Sequence, residues 1–322
     1  MKDLNAYKEL SPIELYQWIE EKQTFTIIDT LKSDSFTRRH LKTAVNACVF
    51  EMTFVDQVNE ITNDNNSVIV LYGASKRSFD AVTAAEKLAQ NGYRAIYVLK
   101  GGIEAWLSED FSLEGEAVNE PYDSQTLLKL EDGSYQADTD QSIIEWRGRN
   151  PNTTHFGTVG IASGDLTVKN GIITGMFDIN MDSIVNISLE GDELQPVLLA
   201  HLKSEDFFLT KLFPIARFEI DEAVPVKEPF LSCPNYQIIG NLELRGIKAK
   251  QNFMATITKT PEENLMAEAH FDIDRTKWGA IYGSARFFEY LGMHMVFDLI
   301  SIQIRIITKK PDRYSSINKP SV

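Results

Sequence analysis

Residues 68–78, VIVLYGASKRS, run from an apolar, β-branch-rich strand at Val68–Tyr72 through a short loop of small residues to an arginine at the start of a helix. A strand that ends in a tight loop ahead of a helix N-terminus turns backbone N–H groups toward one point, which suits an anion. The loop contains no cysteine. Two neighbouring runs, residues 25–29 and Ala95–Leu99, are also nearly continuous in apolar residues, as strands covered on both faces are. Between them, residues 79–90 place Val82, Ala85, Leu88 and Ala89 at helical spacing and stop at Asn91-Gly92. Upstream, Ser11, Pro12 and Glu14 form a helix start, followed by an apolar face of Ile13, Tyr16, Ile19 and Trp18. Strands alternating with helices predict an α/β domain with a parallel sheet over residues 1–112.

Further residues make the comparison sharper: Ile27-Ile28-Asp29 at a strand end, His40-Leu41, Ala44-Val45-Asn46, Arg77-Ser78, and Leu99-Lys100-Gly101-Gly102-Ile103-Glu104-Ala105-Trp106. With these, the first half resembles a rhodanese-like domain. That resemblance implies a persulfide-bearing cysteine five residues before the arginine, in a ring of backbone amides. Counted back from Arg77 the position is Tyr72, or Gly73 if the loop is one residue shorter. Neither can hold a transferable sulfur, and a phenol near its usual pKa of about 10 does not replace a thiolate. The same gap excludes a cysteine-phosphatase chemistry. What remains is an expected anion nest made of Tyr72, Gly73, Ala74, Ser75, Lys76 and Arg77. Two roles stay open for it: structural bracing by Arg77, or docking of an anion or an acidic partner segment. Cys48, read as lying on a buried strand, is the one thiol left in this half.

Composition bounds the rest. With 46 acidic against 32 basic residues the net charge is −14, which repels phosphate backbones and disfavours nucleic-acid partners. The chain's two cysteines, Cys48 and Cys233, fall one in each half, so no disulfide framework is expected. The opening residues show no secretory pattern, and no run reaches the roughly 20 apolar residues of a membrane span. A soluble cytoplasmic protein of two domains is the expectation.

Residues 113–133 are acidic and carry Gly115, Pro121 and Gly133, a composition suited to an exposed linker. From residue 134 to 310 the pattern changes to period-two alternation. Ile238, Gly240, Leu242 and Leu244 share one parity, as do Phe253, Ala255 and Ile257, then Ala267, Ala269, Phe271 and Ile273, then Ile300, Ile302, Ile304 and Ile306. Such runs predict antiparallel strands with one apolar face, and closing them into a barrel removes exposed edges. Lys169-Asn170-Gly171 reads as a turn, residues 193–207 as a helix that plugs or flanks the barrel, and residues 311–322 as a C-terminal tail. The fold class expected for the whole chain is therefore multidomain: an α/β parallel-sheet domain followed by an antiparallel, lipocalin-like β-barrel.

The stretches Asp178 to Ile184, His201-Leu202-Lys203-Ser204 with Asp206-Phe207-Phe208, Pro214 to Phe218, Asn241 to Gly246, and Phe271 to Arg275 with Trp278-Gly279 make this half similar to the YceI-like family. The resemblance implies a lipocalin-like barrel that binds polyisoprenoid or related long apolar molecules. Parity nominates Trp146, Phe177, Ile179, Leu242, Leu244, Phe253, Phe271 and Ile302 as lining residues, against the alternative that they pack a filled core. Arg245 and Arg275 are candidates for a polar collar or for a salt-bridged corner. His155, His201, His270 and His294 show no tight ligand spacing, so no metal is expected, and no cofactor beyond a bound apolar molecule. Three functions remain in play: a non-catalytic carrier of an isoprenoid-like ligand, with the first domain docking a protein partner; a sulfurtransferase or redox enzyme using Cys48; and a pure interaction module.

Overall fold

The computed structural model describes residues 7–118, 128–260 and 262–310; the expected tail and residues 119–127 of the acidic connection lie outside them. The chain divides into two compact units, Met1–Tyr122 and Asp123–Val322. In the first, the elements in order are β1 (Lys8–Leu10), α1 (Pro12–Glu20), β2 (Thr26–Asp29), α2 (Ser33–Arg38), β3 (His40–Leu41), β4 (Val45–Asn46), α3 (Phe54–Ile61), β5 (Val68–Tyr72), α4 (Asp80–Gln90), β6 (Ala95–Leu99), α5 (Gly102–Ser108) and β7 (Leu113–Glu114). The sheet order is β1-β6-β5-β2-β4, with every pairing parallel. Phe54 and Val58 of α3 and Ala81, Ala84, Ala85 and Leu88 of α4 bury one face. Leu15 of α1 and Ile103 and Trp106 of α5 bury the other. This double cover is why the strands read as unbroken apolar runs.

The start of α1 is a capping box: Ser11 Oγ accepts from the Glu14 N–H, and the Glu14 carboxylate accepts from the Ser11 N–H at 2.8 Å. Two short helices, α2 and α3, were not foreseen. Cys48 lies in an irregular turn after β4, not on a strand, and its N–H donates to Gln57 Oε1 at 3.1 Å. Leu113–Glu114, inside the stretch read as linker, pairs with His40–Leu41 and belongs to this unit.

The second unit holds β8 (Gly133–Ala137), β9 (Ile143–Arg149), β10 (Thr154–Lys169), β11 (Ile172–Asn186), α6 (Gln195–Lys203), β12 (Ile215–Pro225), β13 (Tyr236–Leu244), β14 (Ile247–Lys259), β15 (Leu265–Asp274) and β16 (Leu299–Lys309). Both β8 and β9 lie between β10 and β16, so they form one interrupted stave, and β10 pairs onward with β11. The result is a closed antiparallel barrel of eight staves. Two-residue turns at Asn170-Gly171 (φ +53 and +76) and Arg245-Gly246 (φ +54 and +70) close hairpins at opposite ends. The helix expected over residues 193–207 is shorter: Ser204 turns extended and its Oγ donates to the His201 carbonyl, ending α6 at Lys203. Among the described residues no helix is long and apolar enough to cross a membrane.

Candidate functional site

The barrel is hollow. A cavity of about 410 Å³ runs through it, walled by side chains from α6 and the barrel strands. That volume falls in the range of small-molecule pockets, about 300–1,000 Å³, and is far beyond a packing void, so the filled-core alternative fails. All eight residues nominated by parity, Trp146, Phe177, Ile179, Leu242, Leu244, Phe253, Phe271 and Ile302, face this space. Phe253 stacks on Phe271 at 3.9 Å between ring centroids, and Phe218 tilts against Phe253 at 5.6 Å. Two glycines make room for such rings. A Cβ on Gly164 would approach Phe177 Cδ1 to 2.4 Å, and one on Gly240 would approach Phe218 Cζ to 2.8 Å.

One end of the barrel is polar at its inner surface. There β9, β11, β13 and β15 finish, α6 crosses, and residues 275–298 return to β16. Arg149, Asn150, His155, His201, Tyr282 and His294 line the cavity at this mouth. His201 Nε2 is 2.8 Å from Asp206 Oδ2, and its ring meets Phe207 and Tyr282 edge-on at 5.0 and 4.7 Å. His294 Nδ1 is 3.4 Å from the Tyr282 hydroxyl, and His155 Nδ1 is 3.3 Å from Ser188 Oγ. Sequence reasoning weighed these histidines only as metal ligands; the i, i+5 pairing of His201 with Asp206 was the available signal. His270 faces outward in an exposed position of β15. Among the described residues no group of three His, Cys, Asp or Glu side chains is arranged to hold a metal.

Of the two arginines expected at a polar collar or a salt-bridged corner, Arg275 reaches the cavity lining and lies 3.7 Å from Asp298, and both brace backbone. Arg245 sits in the β13–β14 turn and donates to the Phe207 carbonyl, tying the segment after α6 to the barrel. Arg275 touches the cavity wall, yet it is almost wholly buried, and its guanidinium donates to the carbonyls of Phe297 (3.1 Å), Val296 (2.9 Å) and Ala280. Burial pushes its pKa below the ordinary value, with Asp298 and Asp274 opposing. Both arginines hold mouth segments in place because their donors are spent on backbone.

In the first unit the loop after β5 already holds an anion of its own. Asp80, at the first turn of α4, folds back so that Oδ2 accepts from the Ala74 N–H at 3.2 Å, close over Gly73, where a helix N-terminus favours negative charge. The N-terminus of α5 clamps the same loop: the Ile103 and Glu104 N–H groups donate to the Gly73 and Ala74 carbonyls at 2.9 and 3.2 Å. A Cβ on Gly102 would come within 2.3 Å of the Gly73 oxygen, so the paired glycines permit the contact. Ser75 Oγ accepts from the Arg77 N–H, and Lys76 and Arg77 are exposed. The expected nest is therefore partly filled by Asp80, a three-dimensional fact with no local signal.

Tyr72 is fully buried; its hydroxyl accepts from the Leu41 N–H at 3.1 Å. Burial, with Asp29 adjacent, pushes its pKa far above the ordinary value, so it supplies no nucleophilic phenolate. Asp29 Oδ1 accepts from the Leu31 N–H at 2.8 Å, while Oδ2 has no hydrogen-bond partner among the described residues. Burial pushes the Asp29 carboxyl up to about 6, partly offset by the nearby Tyr72 hydroxyl, the Leu31 N–H and His40. Folding thus favours the protonated form. Its contribution is fully present below the unfolded value near 3.8 and is lost as pH rises through about 6. Asp29→Asn should escape that loss. The stability difference between variant and wild type should grow by about 3 kcal/mol from about pH 3 to about pH 7, measured in the full chain by hydrogen exchange of the β2 and β5 amides.

An α/β unit of this topology followed by a hollow eight-stave barrel defines a two-module protein whose second half is lipocalin-like. Residues 135–308, more than half of the chain, match the YceI-like domain family, and the chain belongs to it; residues 11–109 match the rhodanese-like domain family. The thiosulfate sulfurtransferase GlpE of Coxiella burnetii is 28% identical over 102 residues, 31% of this chain and 87% of that protein. Among solved structures, Burkholderia cenocepacia BcnA is similar at 14% identity and a TM-score of 0.42, covering 54% of this chain and 99% of its own. A polyisoprenoid binding domain from Saccharophagus degradans, implicated in plant cell wall breakdown, is similar at 11% identity and a TM-score of 0.39, covering 55% and 98%.

Proposed function

We propose that this protein is a non-catalytic carrier that holds a long apolar, isoprenoid-like chain in its barrel, while the first unit recruits a partner. The observation that carries the reading is the apolar cavity of about 410 Å³ with polar groups gathered at one end. A chain enters such a space tail first and leaves its polar end among His201, Tyr282 and His294. Each CH₂ buried contributes about 0.8 kcal/mol, so a few isoprene units outweigh the several kcal/mol cost of association. Affinity should therefore rise with chain length more than with head-group identity. Solvent extraction of the purified protein followed by mass spectrometry should recover one long-chain apolar compound, and the emptied protein should bind geranylgeraniol more tightly than farnesol. An empty extract together with no saturable binding of geranylgeraniol would remove the proposal.

The rival reading is sulfur transfer through Cys48, suggested by the name of the Coxiella burnetii relative. Against it stand a buried Cys48 in a turn after β4 and a loop after β5 that has no cysteine and carries the Asp80 carboxylate. Thiosulfate:cyanide turnover by the wild type that disappears in Cys48→Ala would reverse the assignment.

A further inference from the structure

The cavity wall does not stop at the mouth. On α6, Leu198, His201 and Leu202 line the cavity, and one turn earlier on the same face stand Leu194 and Val197, 60% and 62% exposed. Across the mouth, Met293 lines the cavity and is nonetheless 84% exposed. A few residues earlier in the same segment, Phe287, Phe288 and Tyr290 are exposed as well. Tyr290 is fully exposed and holds a left-handed φ of +54. That backbone conformation disfavours a bulky L-residue, and no burial offsets it. A lip of large apolar side chains around an opening is what a soluble surface ordinarily avoids.

We propose that this lip is a membrane-docking surface, which seats the mouth on a neutral, zwitterionic bilayer so that the ligand passes between bilayer and cavity without crossing water. The inference rests on the barrel carrying an apolar chain, because the bilayer is the phase in which such a chain is dissolved. Two further observations select this occupant. Aromatic and aliphatic tips are interspersed with Arg286, Glu289 and His294, a mixture suited to the bilayer interface. The net charge of −14 opposes anionic headgroups and leaves insertion of apolar side chains as the attraction. A protein seated on the lip would instead plug the opening that the ligand uses.

Phosphatidylcholine vesicles test this by flotation with the full-length protein and a Phe287→Ser/Phe288→Ser/Tyr290→Ser variant, none of whose altered residues lines the cavity. The wild type should float with the vesicles, and the variant should lose at least about tenfold in apparent affinity. Transfer of geranylgeraniol out of vesicles should slow in parallel, while its binding to the variant from dilute solution stays unchanged. Wild type that fails to float, a variant that floats equally well, or binding that requires phosphatidylglycerol would overturn the proposal. So would a wild-type dimer that the variant converts to monomer, since the lip would then be an interface between copies. Loss of geranylgeraniol binding by the wild type would instead sink the carrier reading beneath it.

Discussion

Arg275→Met is expected to lower the unfolding free energy of the second unit by about 3–5 kcal/mol, the range for breaking a buried charged network. The guanidinium bonds both sides of the segment that forms one wall of the mouth. The Ala280 carbonyl lies near that segment's start, and the Val296 and Phe297 carbonyls lie at its end. Its NH2 is 3.7 Å from Asp298 Oδ1, a buried oxygen with no hydrogen bond among the described residues. Methionine fills much of the volume and supplies no donor, so these carbonyls and a buried carboxylate oxygen lose their compensation together. The exposed Arg286 still pairs with Asp298 Oδ2 at 2.9 Å, which limits the damage at that residue. Arg275→Lys should recover little, because one ammonium cannot reach carbonyls arranged for a planar fork. Urea unfolding followed at Trp278, which is fully buried and donates Nε1–H to the Leu242 carbonyl at 2.8 Å, would report the change. A loss below about 1 kcal/mol, the level of an exposed ion pair, would show that water replaces the guanidinium and that the segment is not held by it.

Arg275 also marks where the sequence stops being informative. Strand parity was readable because a sheet alternates with a fixed period of two residues, and that regularity alone placed Phe253, Phe271 and Ile302 on one inner surface. Whether space remained between them depends on strand number, tilt and the glycines at 164 and 240, none of which parity encodes. Residues 275–298 carry no period at all, so neither the buried guanidinium nor the exposed lip at Phe287, Phe288 and Tyr290 could be placed. The α/β unit shows the same split. The buried strands were visible as apolar runs, whereas the short helices α2 and α3 fell below the length at which helical spacing is decisive. The motif predicted an anion nest after β5. The missing cysteine was plain in the sequence, but the return of Asp80 over Gly73 is a tertiary contact between residues seven apart whose side-chain direction no local pattern fixes.

The strongest single challenge to the cavity as the binding site is Ala216→Trp. Ala216 pairs with Ile179 near the mouth end of β12, is buried, and faces the hollow. In a filled barrel the indole would have nowhere to go and the protein would lose about 1–3 kcal/mol or fail to fold. In a barrel with about 410 Å³ of free space it can enter that space, so the variant should fold with near wild-type stability. It would then exclude at least one isoprene unit, about five carbons, from the region next to the opening. At about 0.8 kcal/mol per buried CH₂ the loss is about 4 kcal/mol, close to a thousandfold in affinity for geranylgeraniol. Lys250→Trp, which adds the same indole to the exposed outer face of β14, should leave affinity unchanged. The comparison separates a plugged cavity from a general effect of an added aromatic. A folded Ala216→Trp that binds geranylgeraniol as tightly as the wild type would mean the chain is held elsewhere, because the ligand and the indole cannot share the same volume beneath α6.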